Sequence, residues 1–313
     1  MHRITFVLAN FMVSSSNHSS RDAHTRRWRS LMSPLASEPV VALDMRTNLY
    51  IGRDEIARRF VDLMLGFNNI FVPQKFDIEK KKDQPNKIPF IENVERAITE
   101  MSSGEFPGLV AERKKPVHVS YGWYPTNFTM FDQVSIMVGE SWFREASHLS
   151  KTIQFAKRLY SIVEASSGHV CHWDLEPRYD RVEERTEEGG IRNRPRFPGV
   201  HHNLSGLYWA NFFGPEYVEM WSRDFLLGAP CYGVEDLDDG GMLLYLADSP
   251  LRAKEESYSV AKERLFAYLG LDAFDGRRYP RFRTEGPWRK KRDARPRVET
   301  GGILDDVFST QSP

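Results

Sequence analysis

Apolar residues recur at helical spacing in several separate stretches of the chain. The clearest stretch is residues 148–165, where Leu149, Ile153 and Ala156 begin a repeat of three and four, and Gly168 follows as a stop signal. This spacing predicts a long amphipathic helix. The same pattern predicts further helices over residues 53–65, 89–101 and 253–269.

A different pattern, in which apolar and polar residues alternate, predicts strands. Residues 117–123 and 131–138 alternate in this way, and Pro125 to Asn127 between them favours a hairpin. Asp239-Gly240 is a strong turn signal between two further apolar runs, so these runs should also pair antiparallel. The predicted strands are Val40–Leu43 paired with Leu49–Ile51, then 117–123, 131–138, 169–175, 207–212, 231–234 and 242–247.

The densest aromatic stretch, Gly206 to Gly228, reads as the centre of the fold. Leu207–Phe212 has the preferences of a strand, and Pro215 suits the first position of a helix that Gly228 would end. The aromatic side chains are best explained as core packing rather than as a ligand site. The expected structural core residues are Trp209, Phe212, Tyr217 and Trp221.

The order of elements favours an α+β fold, with a mostly antiparallel sheet and amphipathic helices packed on one face. We expect a poorly ordered leader over residues 1–38, a single α+β domain over 39–275, and a basic, flexible tail over 276–313. Charged or proline-rich segments at 75–89, 102–115 and 176–205 are predicted to be loops. The last is long enough to be an insertion or a functional loop.

Composition narrows the class of protein. The 313 residues contain 43 basic and 43 acidic side chains, so net charge indicates neither a nucleic-acid nor a membrane partner. The two cysteines, Cys171 and Cys231, form no disulfide framework, which favours a reducing, cytoplasmic location. Residues 4–13 only faintly resemble a signal peptide, and no other segment has the apolar length of a membrane span.

Motifs for known chemistry are scarce. The sequence has neither a phosphate-binding glycine motif nor a nucleophile elbow. One alternative is a metal-assisted hydrolase, because imidazoles and carboxylates can bind a divalent metal. Its candidates are His169, His172, Asp174, His201 and His202. Alternation along a strand would place His169 and His172 on opposite faces, so we predict no catalytic residues, no metal and no cofactor.

Two charged segments could bind partners. Glu235, Asp236, Asp238 and Asp239 form an acidic turn between two strands, which is either an ordinary hairpin tip or a docking point for a basic partner. Residues 277–297 are basic and could contact nucleic-acid phosphates, but they lack a regular aromatic platform. Nucleic-acid binding is therefore the weaker alternative. The sequence does not indicate the oligomeric state.

Four segments in order resemble bacterial polymorphic-toxin immunity proteins, particularly the immunity protein 52 family and related type VI immunity proteins. They are LYIGRDEIARRFVDLM, FDQVSIMVGES, GLYWANFFGP and PCYGVEDLDDGGMLLYLADSP, and the similarity covers roughly residues 40–272. The resemblance implies a non-enzymatic α+β protein that binds and neutralises a cognate toxin. It supplies no catalytic residues. The insertion at 176–205 and the basic tail depart from the family pattern, which leaves the toxin-binding surface undefined.

Overall fold

The computed structural model describes residues 39–67, 69–78, 86–102, 108–125, 132–173, 181–185, 191–195, 204 and 206–270. The predicted leader (1–38) and the predicted tail (276–313) lie outside these described residues, as do Asp174, His201 and His202.

Ten strands form one sheet in which every pairing is antiparallel. The order across the sheet is β11-β12-β10-β7-β1-β6-β5-β4-β2-β3. The strands are β1 Val40–Thr47, β2 Lys75–Ile78, β3 Asn86–Pro89, β4 Leu109–Arg113, β5 Val119–Tyr124, β6 Asp132–Gly139, β7 Ser167–His172, β10 Ala210–Phe213, β11 Gly233–Asp236 and β12 Met242–Tyr245. The α+β class and the antiparallel sheet are confirmed.

Six α-helices accompany the sheet within the described residues. They are α1 Asp54–Phe67, α2 Val94–Ser102, α3 Ala146–Ile162, α4 Pro215–Trp221, α5 Arg223–Leu227 and α6 Glu256–Leu269. Short 3-10 turns cover Asn69–Phe71, Ile91–Asn93, Glu140–Arg144 and Pro250–Lys254. The periodic apolar residues of α1 and α3 are buried in the main core, as amphipathic spacing requires.

Strand β1 lies near the middle of the sheet and differs from the sequence prediction. It runs unbroken for eight residues and pairs with β6 on one side and β7 on the other, so the predicted pairing of Val40–Leu43 with Leu49–Ile51 is wrong. Val41, Leu43 and Met45 contribute to the large core, whereas Ala42 contacts a smaller apolar cluster on the opposite face. The strand is therefore buried on both faces.

The helices divide between the two faces of the sheet rather than covering one. On the first face, Tyr160 of α3 stacks on Phe212 of β10 with ring centroids 5.6 Å apart. On the second face, the neighbouring Phe213 contacts Tyr217 and Trp221 of α4 at 5.9 and 5.3 Å. Because successive residues of a strand point to opposite sides, α3 and α4 lie on opposite faces. Helix α4 therefore covers the second face at β10.

The helix predicted from Pro215 to Gly228 is two short helices. Ser222 separates them with a backbone φ of 74°, a conformation that a helix interior does not allow. Its hydroxyl accepts a hydrogen bond from the Phe225 amide at 3.3 Å and so caps α5. Serine is a favoured capping residue, and this local preference ends the first helix early.

Three segments predicted to be loops contain strands. Residues 75–89 hold β2 and β3, and residues 102–115 hold β4. The segment 176–205 contains a separate two-stranded sheet of β8 (Arg181–Arg185) and β9 (Ile191–Pro195). Their charged composition concealed β2, β3 and β4, which form one end of the main sheet, and β8 and β9, which lie outside it.

Candidate functional site

The acidic turn joins β11 to β12 at one end of the sheet, which confirms the predicted hairpin. The amide of Leu237 donates to the carbonyl of Gly241 at 2.9 Å, and Gly240 adopts a φ of 87° that favours glycine. The Asp239 carboxylate accepts a hydrogen bond from the Gly241 amide at 3.0 Å. One acidic side chain of the turn thus has a local structural role.

Glu235 and Asp236 are both held by basic partners on helices. Lys157 of α3 forms an ion pair with Glu235, while Arg223 of α5 binds Asp236 through two hydrogen bonds of 2.9 and 2.6 Å. Adjacent strand residues point to opposite faces, so the two ion pairs attach β11 to a helix on each side of the sheet. The hydrogen bonds from Arg223 lower the pKa of Asp236.

The predicted acidic group therefore divides into two pairs. The carboxylates of Glu235 and Asp236 are neutralised, whereas Asp238 and Asp239 lie exposed at the tip of the turn. Asp224 at the start of α5 is also exposed. The negative charge available to a partner is smaller than the sequence indicates, and it is concentrated at the tip.

Apolar side chains that sequence reasoning missed are exposed in the segment that leads into β11. Tyr232 is 66% exposed and Leu227 is 43% exposed. Exposed tyrosine is typical of protein-binding surfaces, because its ring supplies contact area at little cost in conformational entropy. The sequence places Tyr232 close to the predicted turn, but it does not show that the side chain is exposed.

A second polar cluster lies buried on the second face, near the middle of the sheet. Asp44 of β1 is 5% exposed and accepts hydrogen bonds from Gln133 at 3.0 Å and from the hydroxyl of Ser135. The Nε2 atom of His169 lies 3.4 Å from the other Asp44 oxygen. The ring of His169 stacks on Tyr208, with centroids 3.9 Å apart. Two neighbouring strands, β6 and β7, thus supply donors to one buried carboxylate on β1.

The electrostatics of this cluster favour a neutral histidine beside a charged aspartate. Burial lowers the pKa of His169, although the hydrogen bond with Asp44 partly offsets the effect. Burial acts to raise the pKa of Asp44, but the contacts with His169 and Ser135 outweigh it, and the pKa is lowered. A neutral His169 that donates from Nε2 to a charged Asp44 carboxylate is consistent with both lowered pKa values.

His169 and His172, the two predicted metal candidates within the described residues, are not brought together. His169 aligns with Asp44 on the second face, while His172 lies in register with Val41 on the first. The Nε2 atom of His172 is 3.0 Å from Glu140. Within the described part of the chain, no group of three or more histidine, cysteine or acidic side chains could hold a metal ion.

The space beside the buried cluster is small. Its lining includes Arg46, His169, Tyr208 and Asn211, its volume is about 20 Å³, and it is partly open to solvent. A volume of this size accommodates about one water molecule. The described part of this cluster therefore has no room for a substrate-sized ligand.

The aromatic residues predicted to be structural occupy the core or its margin. Trp209, Phe212 and Tyr217 are at most 1% exposed, and the indole of Trp209 donates to the Ala247 carbonyl at 2.8 Å. Trp221 is partly buried and stacks on Tyr217 at 5.6 Å. These contacts give each ring a packing role.

Comparison with known proteins adds little. No protein-family model matches the chain, and no curated protein matches it. Among solved structures, the chain is similar to the Pseudomonas aeruginosa T6SS protein PA0821, with 11% identity, a TM-score of 0.45 and 73% of each chain covered. A likeness this distant carries no argument about function. In the described residues, no helix has the length and apolar character needed to cross a membrane.

Proposed function

We propose that this protein is a non-enzymatic immunity protein that binds and neutralises a cognate bacterial toxin. The ordered resemblance to the immunity protein 52 family supports this proposal. The structural observation that carries it is the exposed surface at the β11 end of the sheet, where Tyr232 and Leu227 lie beside the acidic turn. Such a combination of aromatic and charged surface is suited to recognising a protein.

The buried residues support the same proposal by contrast with the hydrolase alternative. A general base must reach the proton that it abstracts, either directly or through water. His169 instead directs Nε2 towards Asp44 and stacks on Tyr208, beside a space of about 20 Å³. This arrangement favours a structural role for His169. Binding through the surface is therefore a better proposal than chemistry at the cluster.

A co-expression experiment tests the proposal. The product of an adjacent secreted-effector gene would be expressed in bacteria with and without this protein, and surviving cells would be counted. We expect survival only in the presence of this protein, together with a stable one-to-one complex after purification. A catalytically inactive form of the effector would serve as the matched control for toxicity.

The outcomes separate binding from catalysis. Survival without a complex would contradict the proposal and indicate an enzyme that removes the toxin's product or repairs its target. Failure to survive, when this protein is folded and abundant, would also reject it for that effector. Metal analysis of protein purified without an affinity tag then tests the hydrolase alternative, for which we expect stoichiometric metal.

A further inference from the structure

The outer edge of β11 presents backbone groups that could pair with another strand. β11 is the first strand in the sheet order, and β12 is its neighbour on the inner side. The Leu237–Gly241 hydrogen bond continues the register of the hairpin, in which Glu235 faces Leu243. Antiparallel pairs alternate between bonded and non-bonded, so the N–H and C=O groups of Val234 and Asp236 point away from β12.

The charged side chains of β11 are directed to the faces of the sheet. Lys157 draws Glu235 towards one face of the sheet, and Arg223 draws Asp236 towards the other. The two ion pairs therefore lie on the two faces of the strand rather than along its outer edge. Tyr232, 66% exposed, immediately precedes the strand and could pack against an added chain.

The exposed charge near the outer edge of β11 favours one kind of partner. After Glu235 and Asp236 are paired, Asp224, Asp238 and Asp239 remain exposed near the strand, giving it a surplus of negative charge. A second copy of this chain would bring the same acidic residues together across the new pairing, which is unfavourable. A basic strand from another protein would meet complementary charge.

We propose that β11 is the toxin-docking element, and that a basic, extended segment of the partner adds to the sheet as an eleventh strand. This inference rests on the proposed function and names the contact through which it would act. Backbone hydrogen bonds to Val234 and Asp236 supply the pairing, as in other cases of strand addition. Exposed Asp238 and Asp239 contribute charge attraction, and Tyr232 contributes apolar contact.

A peptide-binding experiment tests the edge directly. The probe is a short fluorescent peptide in which lysine and valine alternate, measured by anisotropy with the full chain. The matched control has the same sequence but carries N-methyl groups on alternate backbone nitrogens, which block strand pairing and preserve charge. We expect the N-methylated peptide to bind at least about tenfold more weakly. Equal binding of both peptides, or no binding of either, would overturn the proposal.

A variant of the protein gives a second, independent test. Val234→Pro removes an outward N–H while keeping the bonds to β12, and proline is tolerated on edge strands. Val234→Thr is the matched control, because it keeps the backbone donor. We expect Val234→Pro alone to lose about tenfold in affinity for the unmodified peptide. If Val234→Pro fails to fold, the comparison of the two peptides on the wild-type chain still decides.

The same variants separate this inference from the proposed function. Where the wild-type protein rescues cells, a folded Val234→Pro variant should give fewer survivors and a weaker complex than Val234→Thr. Equal rescue and equal affinity would overturn the docking element and leave the immunity function standing. A wild-type dimer in solution that Val234→Pro dissociates would also overturn it, because a second copy would then be the occupant.

Discussion

Two carboxylates in this protein, those of Asp44 and Asp236, have hydrogen-bonding partners in very different surroundings. Asp44 is buried near the middle of the sheet and accepts from Gln133 and Ser135, whereas Asp236 pairs with Arg223 at the exposed edge. A buried polar group without a hydrogen-bond partner costs free energy of folding, whereas solvent screens an exposed ion pair. Similar chemistry is therefore expected to contribute strongly to stability at Asp44 and little at Asp236.

The largest expected effect comes from Asp44→Ala. The variant would leave the Ser135 hydroxyl and the Gln133 amide without their buried acceptor. We expect the free energy of unfolding to fall by about 3–5 kcal/mol, measured by urea denaturation with tryptophan fluorescence. Asp236→Ala, matched in chemistry but exposed, should leave the urea midpoint close to that of the wild type. Equal loss in both variants would contradict the comparison.

The pH dependence of stability should also distinguish the two sites. Because the pKa of His169 is lowered in the folded state, the unfolded chain takes up the proton first as pH falls below about 6.5. Stability is therefore complete above that value and decreases towards the folded-state pKa. One proton limits this slope to about 1.4 kcal/mol per pH unit.

His169→Gln is the variant that isolates this effect, because glutamine keeps an amide donor but does not titrate. Urea midpoints measured between pH 7.5 and pH 5 should decline less steeply in the variant than in the wild type. A His148→Gln variant controls for a histidine that contacts exposed Glu145. If the urea midpoints of His169→Gln and wild type change with pH in parallel, another titratable group causes the pH dependence.

A smaller effect is expected on the rate of partner binding. Asp238→Asn with Asp239→Asn removes the exposed charge of the turn, while asparagine can still accept from the Gly241 amide. We expect association with a basic partner to slow several-fold at low salt, and the difference to shrink as salt screens the charge. Stopped-flow mixing across a salt series measures it. A rate that is unchanged at every salt concentration would remove the turn from the encounter surface.

The smallest expected effect is the coupling between Arg223 and Asp236 in stability. Both side chains are more than half exposed, so solvent screens their attraction. A double-mutant cycle with Arg223→Ala and Asp236→Ala should give a coupling too small to resolve in thermal unfolding. A clear coupling would show that the edge ion pair stabilises the fold, and the contrast with Asp44 would weaken.

The sequence predicted the fold class and the paired strands with regular alternation, because burial of one face imposes that pattern. It missed the full length of β1, since Asp44 and Arg46 end the apparent apolar run after Leu43. Partners from β6 and β7 permit these polar side chains, and neither partner is close in sequence. Ser222 likewise resembled an ordinary helix residue, because its backbone conformation is set by local capping and packing.

The sequence predicted which acidic residues lie near the candidate site, but it did not predict their partners. The acidic turn was visible in the sequence, but the pairing of Asp236 with Arg223 depends on how α5 packs beside β11. The buried role of His169 depends on Asp44, 125 positions earlier in the chain. Long-range partners of this kind decide which charged groups remain available, and local patterns do not encode them.

The position of β1 has a consequence for synthesis on the ribosome. Val40 pairs with Gly139 and Val41 with His172, so β1, the first strand among the described residues, has its partners roughly a hundred residues later. At about 5–20 residues per second, β1 waits several seconds or more for them. During that interval an apolar strand needs protection from other nascent chains. Slowing translation between residues 47 and 132 should therefore lengthen this vulnerable period and raise dependence on ribosome-associated chaperones.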